Sequence, residues 1–299
     1  MKTPPASGTG SYFNMTDIDI EYLRQWIGKV ESAADCITSV PVRALAATLD
    51  LPDINGRPGD RLPPMWHILF FLPLNKRSEL NRNGHPRLGA FMPPISLPRR
   101  MYAGGRMQFH SDLKIGDEIS RQSRITDVSF KQGRTGPLVF LQLRHEINNA
   151  DGLAITETQD IVYRADPGPD SAEPSYQAAP VNEQWLRELT TDPIMLFRFS
   201  ALTFNGHRIH YDHPYTVGEE GYPGLIVHGP LLAILLLDLL HRYMPGSRVE
   251  EFRFRALKPV FDSIPFFLCG VPADNDRVVN LWIRDAQGML CLEASAVVA

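Results

Sequence analysis

Ten consecutive residues, Leu231–Leu240, hold nine apolar side chains and one acid, Asp238. Gly229-Pro230 precedes the run, and His241, Arg242 and Pro245-Gly246 follow it. Proline suits the first turn of a helix and Pro-Gly stops one, so the segment predicts a helix over 230–243. A helix that is apolar on every side cannot lie on a surface. The run is too short to span a bilayer, so the rest of the chain must enclose it. The material available is strand-like: Leu138–Arg144, Ala154–Tyr163, Val278–Arg284 and Met289–Val298 are short and rich in branched or aromatic residues. One apolar helix with several antiparallel strands implies an α+β fold, a sheet wrapped around that helix.

The bulk properties narrow the partners. The chain has 299 residues, 43% of them hydrophobic, enough for one large domain or two of ordinary size. A net charge of −4 supplies no global basic field, so no nucleic-acid partner is expected. Cys36, Cys269 and Cys291 are far apart and form no C-x-x-C pair, which argues against a disulfide framework or a zinc knuckle and fits a reducing, cytoplasmic setting. Residues 1–17 contain one lysine and no apolar core of a signal peptide, and no membrane association is expected.

Residues 166–180, rich in Pro, Ser and Ala, read as a linker between an N-terminal unit, 1–165, and a C-terminal unit, 181–299. The units look like diverged copies. Phe109–Asp117 parallels Phe254–Asp262, and Asn149–Glu157 parallels Asp285–Glu293, the second pair resembling two hairpins. Each copy is expected to open with helix: Thr16–Ala33, capped by Thr16, and Pro41–Leu49 in the first, Asn182–Leu189 in the second. The first copy's counterpart of the long helix, Leu62–Leu74, carries Pro63, Pro64 and Pro73 and can form at most a short helix.

Chemistry concentrates near the long helix. Residues 199–212 read Phe-Ser-Ala-Leu-Thr-Phe-Asn-Gly-His-Arg-Ile-His-Tyr-Asp, and Gly-Leu-Ile-Val-His-Gly-Pro follows at 224–230. A titratable imidazole on a loop, beside a helix start with free N–H groups, can hold a polar reaction centre. His207, His210 and His213 recur at every third position, but no external Cys or Glu partner is evident and Arg208 lies among them, so no metal site is expected. Arg248, Arg253, Arg255 and Lys258 form a basic stretch on a strand, either solvated edge residues or contacts for phosphates; Lys131 and Arg134 are a weaker pair. Arg106 and Arg208 are candidates for pairing with a substrate carboxylate. Trp66, Trp185 and Trp282 are expected to pack rather than stack on a ligand.

These segments resemble the MaoC-like hot-dog enzymes. More narrowly, the chain is similar to the hydroxyacyl-thioester dehydratase type 2 branch that contains mesaconyl-C4-CoA and itaconyl-CoA hydratases. The similarity lies at Leu62–His67, Gly133–Phe140, Ile155–Arg164 and Phe199–Asp212. The resemblance implies a double hot-dog fold whose first unit has a degenerate helix, and an enzyme that adds water to, or removes it from, a 2-enoyl thioester. It places the family's histidine on His210, its oxyanion-hole amide on Gly229, and its usual aspartate on Asn205.

Enolate charge at the thioester oxygen needs a donor, which a glycine at a helix start supplies. Water needs a base, which His210 can be, and Asn205 can accept from that water and donate to a second oxygen. Asp212 is expected to orient the His210 ring or replace the missing acid. His228 is a candidate for substrate contact or for capping the helix. An acyl-CoA partner is implied, with no redox cofactor because hydration changes no oxidation state, and a homodimer is compatible. A C5 dicarboxylic acyl group, itaconyl or mesaconyl, is the first reading. Longer fatty acyl chains, a thioesterase, and a non-catalytic acyl-CoA-binding module remain as alternatives.

Overall fold

The computed structural model describes residues 18–52, 54–133, 136–166, 175–273 and 277–299. Its strands are β1 Val30–Cys36, β2 Arg99–Phe109, β3 Glu118–Gly133, β4 Gly136–Asn149, β5 Gly152–Arg164, β6 Trp185–Leu189, β7 Val249–Ala256, β8 Phe266–Pro272, β9 Val278–Asp285 and β10 Leu290–Val298. They form one ten-stranded sheet in the order β1-β3-β4-β5-β2-β7-β10-β9-β8-β6, each pairing antiparallel. Counted from each end, the order is the same: first, third, fourth, fifth, second. The second strands of the two sets, β2 and β7, join them in the middle, with Arg106 opposite Arg253 and Met107 opposite Phe252. The hairpins at Asn149–Gly152 and Asp285–Leu290 occupy equivalent places, as the internal likeness predicts.

The helices are α1 Ile20–Arg24, α2 Ser39–Thr48, α3 Pro193–Leu202, α4 His213–Gly218 and α5 Gly229–Tyr243. Nine residues of α5, from Leu231 to Leu240 apart from Asp238, are buried, as an all-round apolar helix requires. Pro230 sits in its first turn, and the chain leaves through Gly246 at φ +86. The helix packs on β2, β6, β8 and β9, and its core continues without a break into Ile37, Leu45 and Ile119 of the first half. The short helix allowed over Leu62–Leu74 is a single 3-10 turn, Trp66–Leu69. Trp66, Trp185 and Trp282 are all buried.

Two expectations need correction. Helix over Thr16–Ala33 shrinks to α1, capped not by Thr16, which lies outside the described residues, but by Asp19, whose Oδ1 accepts from the Tyr22 N–H at 2.9 Å. Gly28, at φ +89, turns the chain, and Val30–Cys36 then pairs along β3 as an edge strand. Asn182–Leu189 is not helical either, because Trp185–Leu189 pairs with β8 as the opposite edge. At both sites the ladder of a neighbouring strand outweighs local helix preference, which is worth only tenths of a kcal/mol per residue, roughly. Pro41–Leu49 fares better: α2 spans Ser39–Thr48 and buries Val42, Leu45 and Ala46 on one side. Among the described residues no helix is long and apolar enough to cross a membrane.

Candidate active site

His210 ends a 3-10 turn, Arg208–His210, in the connection between α3 and α5. Its Nδ1 lies 2.7 Å from the Ile226 carbonyl oxygen. A carbonyl only accepts, so Nδ1 carries the proton and Nε2 keeps its lone pair. Burial pushes the His210 pKa down to about 4, against the Ile226 hydrogen bond, which raises it. The ring is therefore neutral at pH 7, with Nε2 free to act as a base. It stacks on the His228 ring at 3.7 Å between centroids and 19° between planes. His228 precedes α5, and its Nε2 lies 2.8 Å from Ser200 Oγ. Burial, and then the charges His210 and His207 would carry, hold His228 well below the usual imidazole range.

The start of α5 supplies donors. The first bond inside the helix runs from the Leu232 N–H to the His228 carbonyl, and Pro230 has no N–H. Among the described residues the Gly229 amide has no hydrogen-bond partner, as is usual for an N–H group at a helix N-terminus. A Cβ placed on Gly229 would meet only the Tyr102 carbonyl oxygen, at 3.7 Å, so the protein itself leaves that side open. Gly229, His210, His228 and Asn205 all line one cleft of about 1400 Å³, above the range of roughly 300–1,000 Å³ for compact ligand pockets and suited to an extended ligand.

Asn205 belongs to the cleft with its roles partly reversed. Its Oδ1 accepts from the His207 N–H at 3.0 Å, so the side-chain oxygen anchors the loop. Among the described residues its amide nitrogen has no hydrogen-bond partner, and donation is what it can offer a ligand. Asp212 does not orient His210. Its carboxylate accepts from Arg208 at 2.8 and 2.9 Å and from the Tyr215 N–H at 3.1 Å, where it caps α4. The Ile226 carbonyl orients the ring instead. Arg208 is accordingly occupied: Asp212 holds it, and its guanidinium lies 4.0 Å over the Tyr215 ring.

The basic candidates divide by sheet face. In β2 and β7, Met107, Phe252 and Phe254 face α5, so Arg106, Arg253 and Arg255 face away from it. Arg255 pairs there with Glu293, Arg253 donates to Ser295 Oγ, and Arg106 lies 3.6 Å from Asp160, in an outer hollow that also includes Lys131. They do not reach the His210 cleft. The cause for Arg106 is a bulge at Ala103: β2 pairs Tyr102 with Ile161 and then Gly104 with Asp160. Even positions face the cleft before the bulge and odd ones after it. Lys258 does line the cleft, ion-paired to Asp285 and over the Tyr176 ring. Arg134 lies outside the described residues. Among the described residues no group of His, Cys, Asp and Glu is placed to hold a metal ion.

Three features are not evident from local sequence. Residues 81–85 of the first half cross over the loop that carries His210. The Arg208 N–H donates to the Asn83 carbonyl at 3.0 Å, and a Cβ on Gly84, at φ +90, would fall 1.6 Å from the Gly206 carbonyl oxygen. This crossing delivers His85, whose ring lies 4.1 Å from that of His207, itself 5.4 Å from His210. The second feature is Arg100, on the inner face of β2 and on the cleft wall. The third is a buried cluster beneath the cleft. Glu157 accepts from His67 Nε2 at 3.1 Å, from the Tyr102 hydroxyl at 3.1 Å and from Gln159 at 2.9 Å. Burial alone would raise the Glu157 pKa; the His67 contact, helped by His145 and Gln159, reverses this and holds it well below the usual carboxylate range. The only sequence signal for this cluster is the family-like character of Leu62–His67 and Ile155–Arg164.

Comparison with known proteins bears on the family and the fold. The hydroxyacyl-thioester dehydratase type 2 family model matches residues 65–262. Mesaconyl-C(4)-CoA hydratase of Chloroflexus aurantiacus is 44% identical over 270 residues, covering 90% of this chain and 95% of that protein. The mitochondrial hydroxyacyl-thioester dehydratase type 2 of Schizosaccharomyces pombe is 29% identical, covering 83% and 91%. Among solved structures, a MaoC-like dehydratase from Phytophthora capsici superposes with a TM-score of 0.67 at 13% identity, covering 94% of this chain and 98% of that one. A Mycobacterium tuberculosis protein described as a double hotdog fold gives 0.55 at 14% identity, covering 91% and 96%. The class is a double hot-dog hydro-lyase, two copies of one strand order around a single apolar helix. Within it, the chain belongs to the hydroxyacyl-thioester dehydratase type 2 family.

Proposed function

We propose that the chain hydrates a 2-enoyl-CoA thioester, reversibly, in the cleft at the start of α5. The observation that carries this reading is His210: a buried, neutral imidazole with its proton fixed on Nδ1 and its basic Nε2 in the same cleft as an unpaired helix-start amide. The thioester carbonyl oxygen accepts from the Gly229 N–H. His210 Nε2 removes a proton from a water held by the Asn205 amide nitrogen, and the water oxygen bonds to the β-carbon. The double-bond electrons move through the α-carbon to the thioester oxygen, where the amide and the helix dipole stabilise the enolate. The imidazolium then returns its proton to the α-carbon. No oxidation state changes, so the reaction needs no redox cofactor.

CoA is the carrier we favour; Lys258, Arg164 and Tyr176 line the same cleft. For the acyl group we favour a C5 dicarboxylic chain. Support comes from the 44% identity to mesaconyl-C(4)-CoA hydratase, which extends over nearly the full length of both chains. The test is purified protein with mesaconyl-C4-CoA, crotonyl-CoA and longer enoyl-CoAs. Loss of enoyl absorbance without thiol release, fastest for mesaconyl-C4-CoA, is expected. Thiol release would instead mean hydrolysis, and a preference for long monocarboxylic chains would mean a fatty-acid-type dehydratase.

A further inference from the structure

The cleft wall carries several cations, and all but one have an evident protein partner. Arg99 is paired with Asp166 at 2.7 Å and lies 3.7 Å from Glu220. Lys258 is paired with Asp285, and Arg164 donates to the Tyr222 hydroxyl at 3.2 Å. Arg100 is different. It lies opposite Tyr163 and two residues before Tyr102, so it faces inward, on the side of the histidines. Among the described residues no carboxylate pairs with it and no hydrogen bond engages its guanidinium. A cation taken partly out of water without a counter-charge is costly unless an anion arrives.

Its neighbours suit an anion that brings oxygen acceptors. Arg100 lies close enough to His85 and His207 for its charge to help burial hold both imidazoles well below their usual range. His85 Nε2 is buried and, among the described residues, has no hydrogen-bond partner. A neutral imidazole can donate one N–H to a carboxylate without adding charge, while a guanidinium matches a carboxylate with two parallel donors. The group also adjoins the base, because the His207 ring lies 5.4 Å from that of His210.

We infer that Arg100, with His85 and His207, forms a subsite for a free carboxylate borne on the β-carbon of the acyl group. The inference rests on the hydratase reading for what the acyl group is. In a C4 thioester of a methyl-substituted butenedioate, the second carboxylate is bonded to the carbon that water attacks. A partner for it must therefore sit beside the base, on the side away from the Gly229 amide. Arg100 shares the cleft with His210 and acts on His207, the ring next to the base, whereas Arg106 and Arg208 are ruled out: one faces out of the sheet, and the other is held by Asp212.

Binding of saturated thioesters tests the subsite apart from turnover. Succinyl-CoA carries the second carboxylate and butyryl-CoA does not. Calorimetry should show the protein binding succinyl-CoA at least about tenfold more tightly, as one charged, bidentate contact allows. Arg100→Met should bring the ratio of the two Kd values near one, and Arg100→Lys should leave it between the two. No preference in the unaltered protein, or a full preference in Arg100→Met, would overturn the subsite. If Arg100→Met binds neither ligand, Arg100→Lys decides: retained selectivity supports the subsite and lost selectivity refutes it. The hydratase reading is scored separately by enoyl-CoA turnover. A protein that prefers succinyl-CoA yet hydrates neither mesaconyl-C4-CoA nor crotonyl-CoA would keep the subsite and lose the reaction.

Discussion

The two halves share a strand order and differ in what lies beneath their sheets. Under the second half sits α5, fifteen residues long, and β10 faces it with the apolar side chains Leu292, Ala294 and Ala296. Under the first half the helix is replaced by a 3-10 turn of four residues, Trp66–Leu69. There β5 presents Glu157 opposite Met107, and His67 from the short turn reaches it. The second half packs apolar side chains around the buried stretch of α5, Leu231 to Leu240; the first fills the equivalent space with an ion-supported hydrogen-bond cluster. The difference teaches that a duplicated sheet can divide its labour, one copy packing a helix whose start opens on the cleft and the other burying a polar cluster next to it.

That division can be broken by experiment. The largest effect should come from Glu157→Ala, which leaves His67 and Tyr102 without their buried acceptor and should cost about 3–5 kcal/mol in denaturant unfolding. The matching change in the second half, His210→Ala, should lower turnover at least about a hundredfold, the scale of a lost general base, and barely move the unfolding midpoint. If Glu157→Gln, kept folded, cuts turnover as deeply as His210→Ala, the first half is catalytic and the comparison fails. Gly229→Ala sharpens it further. The added Cβ meets only the Tyr102 carbonyl at 3.7 Å, so stability should hold, while kcat/KM should fall about tenfold as the methyl crowds the thioester oxygen.

The smallest effect per group concerns pH. Burial lowers His85, His207, His210 and His228 in the folded state, so the unfolded chain binds more protons below about pH 6.5, and stability falls as pH drops through that value. Each should contribute a loss of about 1 kcal/mol by pH 5.5, read as a lower urea midpoint. By contrast, kcat/KM of the free enzyme should hold until pH approaches the His210 value of about 4. A stability curve flat from pH 7.5 to 5.5 would contradict neutral burial of the four rings.

The sequence makes some of this legible and hides the rest for identifiable reasons. The helix α5 is plain because its run is apolar on every side and bracketed by Gly-Pro and Pro-Gly. Strands β4, β5, β9 and β10 follow from branched residues flanked by turns. His210, Asn205, His228 and Gly229 converge as their motif suggests. Edge strands β1 and β6 are not legible, since only a partner strand stabilises them. Nor is the face of Arg106, because the bulge at Ala103, beside Gly104-Gly105, inverts the alternation. The same kind of slip separates the aligned pair Glu157 and Glu293: the first is buried, and the second meets Arg255 on the outer face. His85 and Arg100 reach the cleft only through tertiary folding, from more than 100 positions away in the chain.

The bare contact of Gly84 with Gly206 ties these regions together. With no side chain on either residue, main chain from one copy rests directly against the main chain that aims the imidazole. A lengthened or shortened segment ahead of Gly84 would be felt at the reaction centre before it was felt in thermal melting. The copies are therefore no longer interchangeable modules: fragments severed between them and mixed again would regain chemistry only by re-seating this backbone junction.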